Sequence, residues 1–327
     1  MRSLLFLPFI LFQSCETVNF YAQGVSGQVE ILRKSRPNLR VIEDKETPVM
    51  IREKLILCEE LCEFAKTDLN LPGDASYHKY ADLGRKHVVY VLHAAPEFSL
   101  EPKTWRYPLI GELDYRGYFD ETDAKEFAEE LRAEGYDVHL GGTDAYSTLG
   151  FFHDPVLNTF IDYSDIDFAE MIFHELTHRR IFRSGETTFN ESLANAVAEE
   201  GIRRWLISKG DKAGLKNYEE ILVRRRDFYS EITRTRASLE KLYASGVSEI
   251  QMRTRKASLM QDLKTRANAL QKRWGGKALE EWISQDLTNA HLLALVTYNN
   301  DIPKFEQLLK DSDGDFVRFF EKVKDID

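Results

Sequence analysis

Two histidines four residues apart, at the end of Asp165-Ile166-Asp167-Phe168-Ala169-Glu170-Met171-Ile172-Phe173-His174-Glu175-Leu176-Thr177-His178, constrain this chain more than any other feature. Phe168, Met171, Ile172 and Leu176 recur at helical spacing, so the segment reads as a helix with Asp165 or Asp167 as its cap. One turn then carries both imidazoles to the same face. Two nitrogens so placed suit one zinc ion, with bonds of about 2.0–2.1 Å. Glu175 is turned away from the pair by one residue, close enough to reach a water at the metal without ligating it. Eight His occur among 327 residues, and at that content chance writes the pattern in roughly one or two chains per hundred. The motif alone therefore needs a third ligand.

The following segment offers one. Gly185 breaks the first helix, and a second helix is expected from Asn190 through Glu200, with Asn190 as cap and Glu191 in its first turn. If the two helices form a hairpin, Glu191 faces back toward the histidines and completes three protein ligands, leaving the fourth position to water. Asn195, one turn on, is placed to hydrogen-bond a ligand histidine and fix its tautomer. Ala194 and Ala198 are small enough for close helix approach. The competing reading of Glu191 is a first-turn carboxylate favoured by the helix dipole.

The rest of the chain supplies a frame. Helices are expected over 25–33, 47–66 and 121–134, with Pro48 at a helix start. Strands are expected over 87–95, 138–140 and 145–152, on their β-branched and aromatic content. Residues 215–243 and 247–274 read as two long helices forming a hairpin around Ala244-Ser245-Gly246. The expected fold class is α+β and predominantly helical, with a small sheet, the metal-bearing helix pair and this hairpin in the C-terminal half. One domain is expected over 15–327, with 212–275 as a hairpin insertion. Basic clusters on the hairpin (Arg224 to Arg226, Arg234, Arg236, Arg253, Lys256) read either as a surface for an anionic partner or as a solvated face with interspersed acids.

Lys and Arg number 44 against 54 Asp and Glu, a net charge of −10, which gives no global attraction to nucleic acid. The N-terminus is distinct. Arg2 precedes an apolar run, Leu4 to Phe12, too short to span a bilayer but of the length of a signal-peptide core. Residues 1–14 are expected to be a signal. Ser14-Cys15 is similar to a lipobox, so Cys15 is expected to carry lipid and anchor the protein to the membrane on the periplasmic or cell-envelope side. Cys58 and Cys62 would then remain as two buried thiols, poorly aimed for a disulfide.

The Asn190-Glu191-x-x-Ala194 helix after His-Glu-x-x-His resembles the gluzincin metallopeptidases. More specifically, the chain resembles the bacterial predicted-aminopeptidase family of zinc-peptidase-like lipoproteins. The matching segments are Tyr21-Ala22-Gln23-Gly24 with Gly27-Gln28, Tyr115-Arg116-Gly117-Tyr118-Phe119, Ala145-Tyr146-Ser147-Thr148-Leu149-Gly150 with Asp154-Pro155, the two metal helices, and Asn289-Ala290-His291-Leu292 with Tyr298. They span most of the chain. The resemblance implies a zincin-like fold and a zinc-dependent peptidase that removes N-terminal residues from peptides, with Glu175 as general base. It also implies Tyr298 and His291 as oxyanion donors, and Ala145, Tyr146 and Ser147 as an edge strand that pairs with the substrate backbone. Arg106 and Glu112 stand where the family pattern has two Cys, so a salt bridge is expected there in place of a disulfide. An exopeptidase also needs a carboxylate for the substrate's α-amino group. Glu112, Asp114, Asp144, Glu199 and Glu200 all remain open for that role. Two readings compete: an endopeptidase of the same chemistry, and a lipid-anchored interaction or structural protein with a non-catalytic metal site.

Overall fold

The computed structural model describes residues 7–74, 76–107, 111–148, 152–296 and 301–326; the side chains of residues 7–19 and of residue 296 lie outside that description. Helix α1 (Leu7–Lys34) leads into a short strand β1 (Arg36–Pro37), then α2 (Asn38–Glu43) and α3 (Val49–Asp68). Strands β2 (Lys79–Ala81), β3 (Val89–Pro96), β4 (Trp105–Tyr107), β5 (Gly111–Leu113) and β6 (Arg116–Tyr118) precede α4 (Glu121–Ala133). Next come β7 (Tyr136–Thr143), β8 (Val156–Leu157) and the helix pair α5 (Asp165–Arg180) and α6 (Thr187–Ser208). The long hairpin α7 (Lys212–Tyr243) and α8 (Glu249–Trp274) follows, then α9 (Glu280–Ser284), α10 (Asn289–Val296), α11 (Ile302–Lys310) and α12 (Phe316–Lys324). The chain is mostly helical with small sheets, which agrees with the α+β expectation.

The main sheet has the order β6-β3-β7, both pairings antiparallel. Strand parity sends Leu92, Ala94 and Val138 to one face, where they meet Ala128 and Leu131 of α4. His93 opposes His139 across the β3–β7 ladder, and the His139 ring packs against His291 of α10, with centroids 4.3 Å apart. The sheet therefore lies between α4 and α10. Asn289, fully buried at the start of α10, donates to the carbonyls of Pro96, Glu97 and Ser99 at and just beyond the end of β3. A second sheet has the order β1-β2-β8, and β4 with β5 makes a hairpin. In that hairpin Arg106 opposes Glu112, and Arg106 Nη2 lies 3.3 Å from Glu112 Oε2, the salt bridge expected in place of a disulfide.

The principal core wraps α5 and α6. Phe168, Phe173 and Leu176 from α5 and Leu193, Val197 and Ile202 from α6 pack with α3 and with Phe305, Phe319 and Phe320 of the last two helices. A fully buried Phe or Leu side chain stabilises by roughly 1.5–3 kcal/mol. Ala194 and Ala198 are completely buried, and Gly201 faces Leu69 and Phe173 so closely that a Cβ would meet each at 2.8 Å. Small residues thus bring α6 close to α5 and to Leu69, the residue that follows α3. Cys58 and Cys62 are buried free thiols, Cys58 Sγ donating to the Tyr77 carbonyl and Cys62 Sγ to that of Ser76.

Several local expectations need correction. Ser164 caps α5 by accepting from the Asp167 amide, while Asp165 is taken by Lys54. α6 begins at Thr187, so Glu191 lies in its second turn. Asn190 is buried inside the helix, where it accepts from the Arg183 amide and donates to the Arg183 carbonyl. It staples the α5–α6 loop shut and caps nothing. The expected strand over 145–152 is absent among its described residues. β7 ends at Thr143, and the Thr148 amide and hydroxyl bind the Asp154 carboxylate, a local side-chain pairing that competes with a ladder. The expected helix over 25–33 is part of a longer one that begins at Leu7.

Arg224, Arg226 and Arg234 stay largely exposed beside acidic neighbours, as on a solvated face, while three other basic residues tie the hairpin to other elements. Arg225 makes a two-bond fork to Glu170 of α5, at 2.5 and 2.7 Å, joined by the Tyr218 hydroxyl at 2.9 Å. Lys256 Nζ reaches Asp137 of β7 at 2.6 Å, and Arg253 forks onto Glu97. These ties fasten the hairpin to both the helix pair and the sheet.

Candidate metal centre

His174 and His178 share one face of α5, as their spacing requires, and α6 lies across that face. The Nε2 atoms of the two rings are 3.0 Å apart. Glu191 closes the triangle, with Oε2 3.2 Å from His174 Nε2 and Oε1 3.5 Å from His178 Nε2. Two ligands on a tetrahedral ion with bonds of about 2.0–2.1 Å are separated by roughly 3.3 Å, so all three edges fit one zinc-sized ion. Among the described residues this is the one group of three or more His, Cys, Asp or Glu side chains with ligand atoms that close.

Electrostatics matches the arrangement. Burial alone would raise the Glu191 carboxyl, but hydrogen bonds from both imidazoles hold it well below the usual carboxylate range. Burial alone would lower His174, and the Glu191 carboxylate bonded to it lifts it to about 9 instead. A negative carboxylate between two rings favours positive charge at their centre. His174 Nδ1 is 2.9 Å from Asn195 Oδ1, so the side-chain amide holds that ring with Nε2 turned to the triangle. His178 is buried, and its Nδ1 has no partner among the described residues.

Glu175 lies beside the histidine pair. Burial pushes its carboxyl up, against the pull of His178 and His174, and its Oε2 is buried with no partner among the described residues. Burial of this kind raises a carboxyl's affinity for a proton. Asp154 influences it from across the site. Asp154 is itself held by Thr148 and, through its amide, by the Ser76 hydroxyl.

The chain matches the family model described as "Putative aminopeptidase" over residues 19–327. It belongs to that family. Neither a curated protein nor a solved structure matches it. The match runs from within α1 to the final helix, so membership concerns nearly the whole chain.

His291 sits on α10 against His139, and its Nδ1 accepts from the Thr288 amide. Tyr298, Leu149 and Gly150 lie outside the described residues, as does the side chain of Cys15. Among the described residues no helix is long and apolar enough to cross a membrane. Ala145 and Tyr146 are half-buried in irregular chain, Tyr146 packing edge-on against Phe119, and Ser147 bonds the Asp154 carboxylate.

Of the five carboxylates open for the amine, Glu112 pairs with Arg106. Asp144 is bonded by His87 and Tyr163, and Glu200 by Arg204. Glu199 is buried between Arg203 and Arg226 on the hairpin side. Burial pushes the Asp114 carboxyl up, and the Glu191 charge adds to it. Its neighbour Tyr115 also feels Glu191 and Asp114. The Tyr115-Arg116-Gly117-Tyr118 segment is conspicuous in the sequence. What the sequence omits is that the β5–β6 turn brings its start within electrostatic reach of Glu191.

Proposed function

We propose that this protein is a zinc-dependent aminopeptidase, anchored by lipid at Cys15 to a membrane of the cell envelope. The single observation that supports it most is the triangle of His174, His178 and Glu191, closed to zinc-ligand spacing from two helices. Three protein ligands are the complement of a catalytic rather than a structural zinc site, which takes four.

Zinc bound by these three residues would polarise the scissile carbonyl and acidify an attacking water. Glu175 receives the proton of that water at its unpartnered Oε2 and returns it to the departing amine. Its buried surroundings raise its affinity for the proton, which suits both halves of that task. Asn195 keeps the His174 ring from rotating out of its role.

Purified protein should contain one zinc per chain, and a chelator should abolish peptide hydrolysis. Glu175→Gln should lose at least about a hundredfold in kcat while retaining zinc. Turnover that survives the substitution removes Glu175 as the base. Zinc bound with no hydrolysis across a broad peptide library would point to the interaction-protein reading. Cleavage of N-terminally blocked peptides would point to an endopeptidase.

A further inference from the structure

Helix α1 is held to the body along one face. Gly27 lies against the Phe119 ring so closely that a Cβ would meet it at 2.3 Å, and Ile31 on that side is buried. Gln23 accepts from the Phe119 amide at 2.7 Å. Glu30, the single acid between residues 20 and 34, pairs with Lys34 at 3.0 Å and with Arg85 at 2.6 Å. The opposite face is apolar and exposed. Val25, Val29 and Leu32 are 64%, 55% and 39% exposed, and their spacing of four and three sets them in one line along the helix. Ala22, also exposed, extends the line in the same rhythm, and Cys15 and Val18 hold the next positions toward the N-terminus.

An apolar line on an exposed helix suits either a second copy of the chain or a lipid surface. A seam between two chains needs the line to run for about three or four heptads with charged flanks. From Cys15 to Leu32 the chain completes fewer than three, and of the flanking Tyr21, Ser26, Gln28 and Arg33 only the last is charged. Arg33 and, on α2, Arg40 are exposed and have no partner among the described residues. Unpaired cations beside an apolar stripe match anionic headgroups. Leu39, next to Arg40, is exposed as well. One unbroken helix joins Cys15 to the stripe, so a lipid at Cys15 would hold the head of the line at the bilayer.

We infer that the outer face of α1, lined by Val25, Val29 and Leu32, lies in the surface of an anionic bilayer and fixes how the protein is turned toward it. This rests on the lipid anchoring at Cys15 proposed above, and it adds what a lipid alone cannot supply. An acyl group on a loose tail leaves the body free to tumble. A helix seated in the bilayer by one face and clamped through Gly27 and Gln23 on the other passes its orientation to the body.

The test uses the full-length chain, lipidated in a bacterial host and reconstituted in vesicles of equal parts phosphatidylcholine and phosphatidylglycerol. Val29→Cys carries an environment-sensitive fluorophore; Cys58 and Cys62 are buried and do not compete for it. Val317→Cys, at an exposed position of α12, is the control. A helix face seated about 5–10 Å deep reaches the acyl boundary, so lipids brominated on their acyl chains should quench position 29 at least about twofold more than position 317. Leu32→Cys serves as a second probe site if the first variant misfolds. Vesicles of phosphatidylcholine alone, or Arg33→Glu with Arg40→Glu on the anionic ones, should shrink that difference. Vesicle-bound protein quenched equally at the two positions overturns the inference and leaves the anchor standing. So does an unlabelled Val29→Cys protein that cross-links to a second copy through that residue, which makes the line a seam between chains. A difference indifferent to phosphatidylglycerol and to both arginines overturns the anionic surface. Protein that never floats with vesicles sinks the anchoring itself, and the inference with it.

Discussion

Asn195 accepts a hydrogen bond from His174 at 2.9 Å, one helical turn beyond Glu191, so α6 supplies both the carboxylate of the His174–His178–Glu191 triangle and the group that orients the imidazole opposite it. The two functions are thus coupled through the rigidity of one helix. Any shift of α6 along α5 would disturb both together.

Removing the amide should therefore show in metal affinity before it shows in folding. Asn195→Ala should weaken zinc binding by about 10–100-fold, measured by competition with a chromogenic chelator, with little change in melting temperature. Asn195→Asp keeps an acceptor and should keep most of the affinity. Unchanged affinity in the alanine variant would mean that His174 is oriented by packing alone.

His93 opposes His139 across the β3–β7 ladder and the His139 ring packs on that of His291, so three largely desolvated imidazoles gather at the sheet. Burial lowers His93 to about 4, with His139 adding to it, and lowers His139 to about 4, with Arg132 adding to it. It lowers His291 to about 3, where His139, Arg132 and Lys264 all oppose a further charge. The unfolded chain takes up these protons near pH 6.5, and the folded chain only near 4 or below. Stability from these rings should be complete above about pH 6.5 and drain away as pH falls toward 4. Urea melts between pH 4 and 7.5 should show this slope, and His139→Phe should flatten it. An equally steep acid limb in that variant would place the cause elsewhere.

Glu199 contributes the opposite slope. Its carboxyl is buried on α6, and burial pushes it up to about 7 despite Arg203 and Arg226. Its folded pKa lies above the unfolded value, so its share of stability is full below about pH 4.5 and is lost as pH rises through 7. Glu199→Gln should make the protein more stable at pH 8 than the parent and leave it nearly unchanged at pH 5. Thermal melts at the two pH values decide it, and no gain at pH 8 would mean that the arginines keep the carboxylate ionised.

Gly201 sets how closely α6 can approach its neighbours. Because a Cβ there would lie 2.8 Å from both Leu69 and Phe173, Gly201→Val should cost about 1–3 kcal/mol through overpacking. Denaturant unfolding reads this directly. Since Phe173 adjoins His174, zinc affinity should fall as well; a stable variant with normal affinity would show that the interface has slack.

What the sequence determined by itself was local. His174 with His178, Glu191 with Asn195, the two thiols of α3 and the long hairpin all follow from helical spacing, because partners three or four apart share a face whatever surrounds them. The Arg106–Glu112 pair was expected only from the family resemblance, whose pattern has two Cys there, and the β4–β5 pairing brings the two side chains together. Helix starts were less legible: Ser164 rather than an aspartate caps α5, because Lys54 from a distant helix claims Asp165. Asn190 looked like a cap until the chain around it closed into a staple. Only the tertiary structure could pair His93 with His139 and His291, aim Arg225 at Glu170, or bring the β5–β6 turn within electrostatic reach of Glu191. Those contacts join residues tens to hundreds of positions apart. Their energy depends on burial and on neighbouring charge, and neither exists until the chain has packed.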